Sequence, residues 1–390
     1  MNATPSTAEV LRQFLPSYRQ RHSLTPQQAK VTGLLCRCRT EALGGYDLAC
    51  DQCDYHESRF RSCRNRHCPQ CQQHASATWL AKRCEDLLPV PYFHLVFTVP
   101  HQLNGWVQLH PEVLYAILFR AVWHTLRSFG DDPKRLDGQI GMTAVLHTWG
   151  QNLSQHVHLH CLIPGGGYHR ERHQWHPARS TYLFPVKALS RRYRGRMVSE
   201  LRQAYDKGLL SRLTDVAEVE CKLASLMETP WVVYARSTCH HSDTVLAYLA
   251  RYTHRIAISN SRLEAVEEND VVFRYKDYAS GGTSKRMRLE GQEFVRRLLL
   301  HVLPHGLMRI RHYGFMANCC RRKRLEQIRH CLEVDAAAGE DTVTARREGI
   351  AHPVMDVTAT RTCPRCRQGS LQIAGEIEAG RPRRCCDAVM

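Results

Sequence analysis

The chain has 390 residues, which is enough for two or three domains with buried cores of their own. Its 54 lysines and arginines exceed its 37 acidic residues, and the net charge of +17 predicts a polyanionic partner. No apolar run approaches the ~18 residues of a membrane helix, and the N-terminus lacks a basic segment followed by an apolar one. The sequence therefore argues against membrane insertion and against secretion.

The first predicted unit, residues 1–30, consists of helices. Thr25, followed by Pro26 and Gln28, has the pattern of a capping box with proline at the first helical position. Residues 31–85 are rich in Cys, His, Arg and Gly and poor in aliphatic side chains. Such a composition cannot form an ordinary core, so we expect a domain built around metal ions.

The next unit, residues 90–260, is predicted to be an α+β core with a central antiparallel sheet flanked by helices. Runs of β-branched and aromatic residues predict its strands, and the short connection 150–154 suits an antiparallel hairpin. The predicted strands are 92–99, 142–149, 155–163 and 231–236, and the predicted helices are 109–128, 186–210 and 242–256.

Residues 261–333 are predicted to be a basic extension of this core. Two strands, 271–278 and 285–289, flank a Ser-Gly-Gly turn and predict a hairpin with a basic face. Residues 334–362 have the composition of a linker, and residues 363–390 form a small tail that carries cysteines.

The spacing of the cysteines predicts a zinc site in residues 31–85. The chain has 18 cysteines, which in a long chain without a secretion signal favours metal binding over disulfides. Two C-x2-C pairs with 14 residues between them have the spacing of a closed four-thiolate zinc site that stabilises the fold. These pairs are Cys50/Cys53 and Cys68/Cys71. Further candidate zinc ligands close to them are Cys38, Cys63 and His67.

The tail contains a third C-x2-C pair, formed by Cys363 and Cys366. Cys385 and Cys386 follow it near the end of the chain and offer two further thiolates. The sequence leaves open whether these four cysteines form a second zinc ribbon.

Three histidines alternate with apolar residues in the strand predicted at 155–163, namely His156, His158 and His160. Alternate residues of a strand point to the same face, so the three imidazoles share one side while the apolar residues face the core. Three histidines on one face would lose solvation and repel one another without a shared role, so we predict that they bind a metal. By ligand softness, imidazoles favour zinc or another transition metal over magnesium.

Tyr248 and Tyr252 are four residues apart on a predicted helix, so both hydroxyls can reach one site. Tyrosines at this spacing usually serve packing, but the histidine strand and the adjacent Arg251 and Arg255 favour catalysis. A tyrosine hydroxyl, with a pKa near 10, is a weak nucleophile, and a divalent cation would help by polarising a scissile phosphate. Exchange of a phosphodiester for a phosphotyrosyl ester needs no ATP, which agrees with the lack of a phosphate-binding loop motif.

Together these motifs resemble the HUH superfamily of single-strand endonucleases, in particular the two-tyrosine rolling-circle transposases of the IS91 insertion-sequence type. The resemblance covers roughly residues 30–325, and no single motif carries it. The segments that carry it are 146–153, 156–160 with the glycines that follow, 248–255, Cys38 with 62–71, 273–278 and 309–314.

This resemblance implies an HUH-type palm with a histidine-hydrophobe-histidine metal site at His158 and His160, and His156 is an alternative ligand. The metal of such enzymes is usually Mg(II) or Mn(II), which differs from the softness argument. The third protein ligand is left open, with Gln151 and Gln155 as candidates. An N-terminal domain with structural Zn(II) is also implied.

The resemblance further implies that Tyr248 and Tyr252 are the catalytic nucleophiles. One tyrosine would cleave a single strand at the end of the mobile element, becoming joined to the 5′ phosphate and freeing a 3′-OH. The second tyrosine would do the same at the target, and strand exchange would resolve both intermediates.

The implied partner is DNA, as single-stranded element ends and target, for a bacterial protein of the cytoplasm and nucleoid that could form a homodimer. Ten basic residues are predicted to contact the DNA, namely Arg251, Arg255, Lys285, Arg286, Arg309, Arg311, Arg321, Arg322, Lys323 and Arg324.

Two other functions are compatible with parts of the sequence. A replication initiator or conjugative relaxase would use the same chemistry, and a zinc-dependent DNA-binding regulator would use none. The N-terminal zinc-binding motif and the lack of a helicase-type phosphate loop favour the transposase. The regulator would have inert tyrosines and no exchangeable metal at the histidine strand.

Overall fold

The computed structural model describes residues 5–72, 83, 85–178, 183–238, 255–278, 280–337 and 361–380. The helices are α1 (Thr7–Arg21), α2 (Pro26–Arg37), α3 (Asn104–Leu109), α4 (Pro111–Gly130), α5 (Val186–Asp206), α6 (Val216–Glu228), α7 (Gly291–Leu299) and α8 (Arg321–Ala337). The strands are β1 (Gly45–Cys50), β2 (His56–Phe60), β3 (Tyr92–Thr98), β4 (Gly141–Trp149), β5 (Gln155–Pro164), β6 (Gly166–His169), β7 (Gln174–Pro177), β8 (Val233–Thr238), β9 (Leu263–Val266), β10 (Asp270–Asp277), β11 (Thr283–Glu290), β12 (Ile310–Gly314), β13 (Arg361–Thr362) and β14 (Ser370–Ile377).

A five-stranded antiparallel sheet in the order β12-β4-β5-β3-β8 forms the centre of the molecule. One face carries apolar side chains that are fully buried against α4 and α5, such as Leu95, Leu146 and Leu159. The opposite face carries the histidines of β5, because successive side chains of a strand point to opposite sides. The predicted α+β class with a central antiparallel sheet is confirmed.

The edge strand β12 lies within residues 261–333, which the sequence predicts to be a basic extension of the core. It pairs with β4 from Ile310 opposite Val145 to Gly314 opposite Gly141. The side chain of Arg311 lies over the ring of Phe119 at 4.1 Å, which fixes this edge against α4. The basic segment therefore contributes a strand to the core in addition to the hairpin β10–β11.

A second apolar cluster joins the N-terminal helices to the sheet β11-β10-β9. Ser6 and Thr25 form capping boxes at the starts of α1 and α2, so the box predicted at Thr25 is confirmed. The apolar faces of these helices pack against β10 and α7 through buried residues that include Phe14, Phe273 and Phe294.

The two ends of the chain meet in a four-stranded sheet with the order β13-β14-β1-β2. The sequence predicts that residues 363–390 are a separate tail, but β14 pairs antiparallel with β1. The helix predicted at 242–256 lies almost wholly outside the described residues. Among the described helices, none is both long and apolar enough to span a membrane.

His301, which follows α7, predicts a specific loss of stability in acid. Its Nε2–H donates to the carbonyl of Leu153 at 3.1 Å, and its Nδ1 accepts from the hydroxyl of Thr148 at 3.3 Å. Burial lowers its pKa to about 4, although the hydrogen bond to Leu153 raises it. The unfolded chain, with a histidine pKa near 6.5, therefore binds the proton more tightly than the folded chain, and stability falls as the pH drops below about 6.5.

Between pH 7 and pH 5, this residue should remove about 2 kcal/mol from the free energy of unfolding. Urea denaturation of the wild-type chain and of His301→Gln at both pH values measures the difference, because glutamine keeps a donor and an acceptor but does not titrate. Equal pH dependence in the two proteins would show that His301 does not carry the effect.

Candidate active site and metal centres

Three histidines converge where β4 and β5 pair. His147 of β4 lies opposite His158 of β5, and the next residue on the same face of β5 is His160. The nitrogen atoms available as ligands on these three side chains lie within 4.8 Å of one another. The ring centroids are 5.3 Å apart for His147 and His158 and 4.8 Å apart for His158 and His160. We call these residues the histidine cluster.

The orientation of two of these rings is set by hydrogen bonds from their far nitrogen atoms. The Nδ1–H of His158 donates to the carbonyl of His156 at 2.8 Å, so Nε2 is the ligand atom. Nδ1 of His160 lies 2.9 Å from Nε2 of His94, which is buried on β3. The carbonyl of His156 selects the tautomer of His158 with a lone pair on Nε2, and a metal bound by Nε2 of His160 would leave its Nδ1–H to donate to His94.

Burial favours the neutral forms of His158 and His160, which metal binding requires. Burial is the main reason that the pKa of His158 is lowered to about 4, and the positive charges of His156 and Arg255 also lower it. Burial and the surrounding imidazoles hold the pKa of His160 well below its usual range. Three imidazoles this close together fit a divalent transition metal, and three protein ligands would leave coordination positions for substrate or water.

Two features of this cluster differ from the sequence-based expectation. His156 is exposed, and it contributes its carbonyl to His158 and no ligand to the cluster. The third imidazole is His147, and Gln155 instead accepts a hydrogen bond from Gln108. Gln151 accepts a hydrogen bond from Arg262 through its carbonyl.

His94 should tune the metal affinity of the cluster without being a ligand. The variant His94→Ala removes the acceptor for Nδ1–H of His160 and is expected to weaken Mn(II) binding about 10- to 100-fold. Titration calorimetry with Mn(II) measures this change. His94→Gln keeps an acceptor near Nδ1 and should recover part of the affinity, whereas wild-type affinity in the alanine variant would exclude this positioning role.

The cysteines of the N-terminal domain belong to two clusters, whereas the C-x2-C spacing alone combines Cys50/Cys53 with Cys68/Cys71. The inner cysteine cluster consists of Cys38, Cys63, Cys68 and Cys71. Its Sγ–Sγ distances include 3.7 Å for Cys38–Cys71 and 3.5 Å for Cys38–Cys68. In a tetrahedral zinc site with Zn–S bonds of about 2.3 Å, the sulfur atoms are about 3.8 Å apart, which is close to these distances. A hydrogen bond with Cys63 lowers the pKa of Cys68 to about 5 and favours its thiolate.

His67 lies beside the inner cysteine cluster but is not one of its members. It is half-buried, and its Nε2 accepts a hydrogen bond from the N–H of Leu303 at 3.4 Å. Burial, together with the charges of Arg66 and Arg309, lowers its pKa to about 3. His67 therefore holds the chain after α7 to the N-terminal domain, whereas Cys38 and Cys63, the other two candidates predicted with it, belong to the inner cysteine cluster.

Cys50 and Cys53 are not joined to Cys68 and Cys71. They form an outer cysteine cluster with Cys363 and Cys366 of the C-terminal segment. The spacing of the pairs is that of zinc sites, but the partner of each pair is decided by which strands meet. Cys385 and Cys386 lie outside the described residues.

The segment that carries the predicted tyrosines rejoins the described chain close to the histidine cluster. Tyr248, Arg251 and Tyr252 lie outside the described residues. Arg255 is described, and its charge acts on the pKa values of both His158 and His160. The buried guanidinium of Arg309 donates to the carbonyl of Arg255 at 2.9 Å.

This contact changes the role expected for Arg309. Its side chain is buried, which lowers its pKa to about 10, and it cannot meet a DNA phosphate from that position. It fixes the backbone at Arg255 beside the histidine cluster instead. The sequence gives no signal for this burial, because the same residue type is common on DNA-binding surfaces.

The other basic residues predicted to bind DNA differ in their exposure and in whether an acidic side chain pairs with them. Lys285 and Arg286 of β11 are exposed and pair with Asp277 at 2.7 Å and Glu264 at 2.8 Å. Arg311 stacks over the ring of Phe119, Arg321 forms an ion pair with Asp86, and Arg324 donates a hydrogen bond to Gln327. Arg322 and Lys323 are exposed. Arg322 and Lys323 are thus the residues of α8 best placed for phosphate contacts.

Comparison with known proteins gives matches to transposases. Residues 141–324 match the family model described as "Putative transposase", and residues 10–99 match the "Transposase zinc-binding domain". A protein of Sinorhizobium fredii named "Putative transposase y4qJ" is 41% identical over 98% of both chains. The transposase for insertion sequence element IS801 of Pseudomonas savastanoi pv. phaseolicola is 25% identical, over 78% of this chain and 73% of its own.

No solved structure matches the chain. The matched zinc-binding domain includes all four members of the inner cysteine cluster, which supports a structural zinc ion there. The transposase match begins with β4 and therefore contains the whole histidine cluster.

Proposed function

The chain belongs to the IS91-type family of insertion-sequence transposases, and we propose that it moves DNA by metal-dependent cleavage of single strands through a 5′-phosphotyrosine intermediate. The central sheet would be a palm of the HUH type. The observation that carries the proposal is the histidine cluster, built on paired strands and lying beside Arg255. A closed structural site would not leave coordination positions open in this way.

The position of Arg255 supports a nucleophilic role for the tyrosines. Tyr252 precedes Arg255 by three residues, which span at most about 11 Å of extended chain. Arg255 is held by Arg309 and lies near enough to His158 and His160 for its charge to affect their pKa values. The chain length therefore allows Tyr252 to reach a phosphate at the cluster, and the sequence predicts Tyr248 one helical turn before Tyr252.

The histidines, the arginine and the tyrosine would each have a separate role in the reaction. His147, His158 and His160 would hold Mg(II) or Mn(II), which supplies polarisation of the scissile phosphate. Arg255 would draw the anionic strand toward the cluster. The tyrosine oxygen attacks phosphorus and loses its proton, the phosphotyrosyl bond forms, and the bond to the 3′ oxygen breaks, so that a 3′-OH leaves. Because one phosphate ester replaces another, the released 3′-OH can reverse the step or join a new strand.

The test is the formation of a covalent adduct. Purified protein would be mixed with labelled single-stranded oligonucleotides that span the element's ends, with Mg(II) or Mn(II), and resolved on a denaturing gel. We expect a metal-dependent adduct that is absent from the variant with both Tyr248→Phe and Tyr252→Phe. The single variants then distinguish one nucleophile from two.

Tyr234→Phe provides a matched control, because Tyr234 is a half-exposed tyrosine on β8. It should form the adduct as the wild-type protein does. Folded protein that binds these strands but never forms an adduct would contradict the proposal and favour the non-catalytic DNA-binding regulator.

A further inference from the structure

The outer cysteine cluster joins two C-x2-C pairs from opposite ends of the chain. Cys50 and Cys366 are 316 residues apart, and their Sγ atoms are 3.7 Å apart. The Sγ atoms of Cys53 and Cys363 are also 3.7 Å apart, and all four sulfur atoms lie within 4.8 Å of one another. Zn–S bonds of about 2.3 Å place the sulfur atoms of a tetrahedron about 3.8 Å apart. The four thiols thus have the separations of a zinc-thiolate site.

Backbone N–H groups beside both cysteine pairs donate hydrogen bonds to sulfur and so favour the thiolate form. The N–H of Gln52 donates to Sγ of Cys50 at 3.4 Å, and the N–H of Gly369 donates to Sγ of Cys366 at 3.3 Å. Hydrogen bonds to sulfur stabilise its charged form. A Cβ atom at Gly369 would lie 2.5 Å from Sγ of Cys50, so glycine is required for this close approach.

The docked C-terminal segment buries too little apolar surface to be held by packing. Its strand β14 pairs with β1 along the whole of β1, yet the buried residues of 361–380 are only Cys363, Gly369 and Leu371. The ion pair between Arg365 and Asp54 is exposed and contributes little. A small sheet with so little core needs another source of stability, and a structural metal is a common one.

We propose that the outer cysteine cluster is a second zinc site, built by both ends of the chain, and that it anchors residues 361–380 to the N-terminal domain. The matched zinc-binding domain ends at residue 99, so it contains only two of the four ligands. Four thiolates close the coordination sphere, and the role of this zinc is therefore structural. The site does not depend on the proposed strand-cleavage chemistry.

Full-length protein substituted with cobalt(II) tests the proposal. The thiolate-to-cobalt charge-transfer band reports Co–S bonds only, so the histidine cluster does not contribute to it. In Cys363→Ser/Cys366→Ser, we expect this band to fall by about half and the zinc content to fall by one ion per chain. Cys50→Ser/Cys53→Ser should give the same loss, and all four substitutions together should give no further loss, because both pairs serve one site.

The matched control is Cys385→Ser/Cys386→Ser, which removes two thiols from the same tail and should leave the band and the zinc content unchanged. Metal loss in this control, or an unchanged band in Cys363→Ser/Cys366→Ser, would overturn the proposal. The half of the band that remains comes from the inner cysteine cluster and shows that the variant is folded. If the serine variants do not fold, Cys366→His keeps a ligand and should retain zinc with a weaker band, and loss of that zinc would also overturn the proposal.

Discussion

Replacing His147 with alanine is expected to slow metal-dependent strand cleavage by more than about 100-fold, because loss of a direct ligand should exceed the effect of losing an outer-sphere partner. His147 faces His158 across the strand pair, and its ring stacks on Trp149 with centroids 4.6 Å apart. Without it, two imidazoles would have to hold the cation. Initial cleavage rates on a labelled single strand, together with Mn(II) titration, measure the effect.

The matched control is His156→Ala, on the same strand as two of the ligands. The exposed imidazole of His156 is not part of the histidine cluster, and its carbonyl, which accepts from His158, is kept in alanine. Its cleavage rate should stay within about 2-fold of the wild-type rate, as for most exposed positions. A large loss in His156→Ala with a near wild-type rate in His147→Ala would show that the metal site consists of the three alternating histidines of β5 and not of the histidine cluster.

The role of His147 depends on a local irregularity that the sequence pattern does not reveal. The hairpin begins with Trp149 opposite Gln155, and in that register His147 would oppose Val157 and not His158. The register shifts by one residue between Trp149 and His147, so that His147 opposes His158. The extra residue lies in β5, because Gln155 and His158 are three residues apart while Trp149 and His147 are two apart. Alternation places His158 and His160 on one face of β5, as the structure does, but it cannot locate a bulge in β5.

The cysteine sites show a similar limit. The C-x2-C spacing correctly indicates pairs that share a site, because two residues between ligands form a turn that aims both sulfur atoms at one point. It does not indicate which pairs combine, and the partner of Cys50 and Cys53 lies near the other end of the chain. Cys38 and Cys63 are single residues without this spacing, and only the fold brings them to Cys68 and Cys71.

The inner cysteine cluster should control the stability of more than its own loop. Cys38, Cys68 and Cys71 are buried in the same apolar cluster as α1, α2, β10 and α7. Loss of one ligand would leave buried, uncoordinated sulfur atoms in contact with these elements, and structural zinc supplies a large part of the folding energy of such domains. We therefore expect Cys68→Ser to lose this zinc and to lower the midpoint of thermal unfolding by about 10 °C or more. Calorimetry and zinc content measure both effects.

Cys221→Ser is the matched control, because Cys221 is exposed on α6 and belongs to neither cysteine cluster. Its unfolding midpoint should stay within about 2 °C of the wild-type value. A chelator adds a second comparison, since it should destabilise the wild-type chain and Cys221→Ser strongly. Cys68→Ser should respond much less, because its inner cluster no longer holds zinc. If the chelator destabilises Cys68→Ser as much as the wild-type chain, the stabilising zinc is not bound by the inner cysteine cluster.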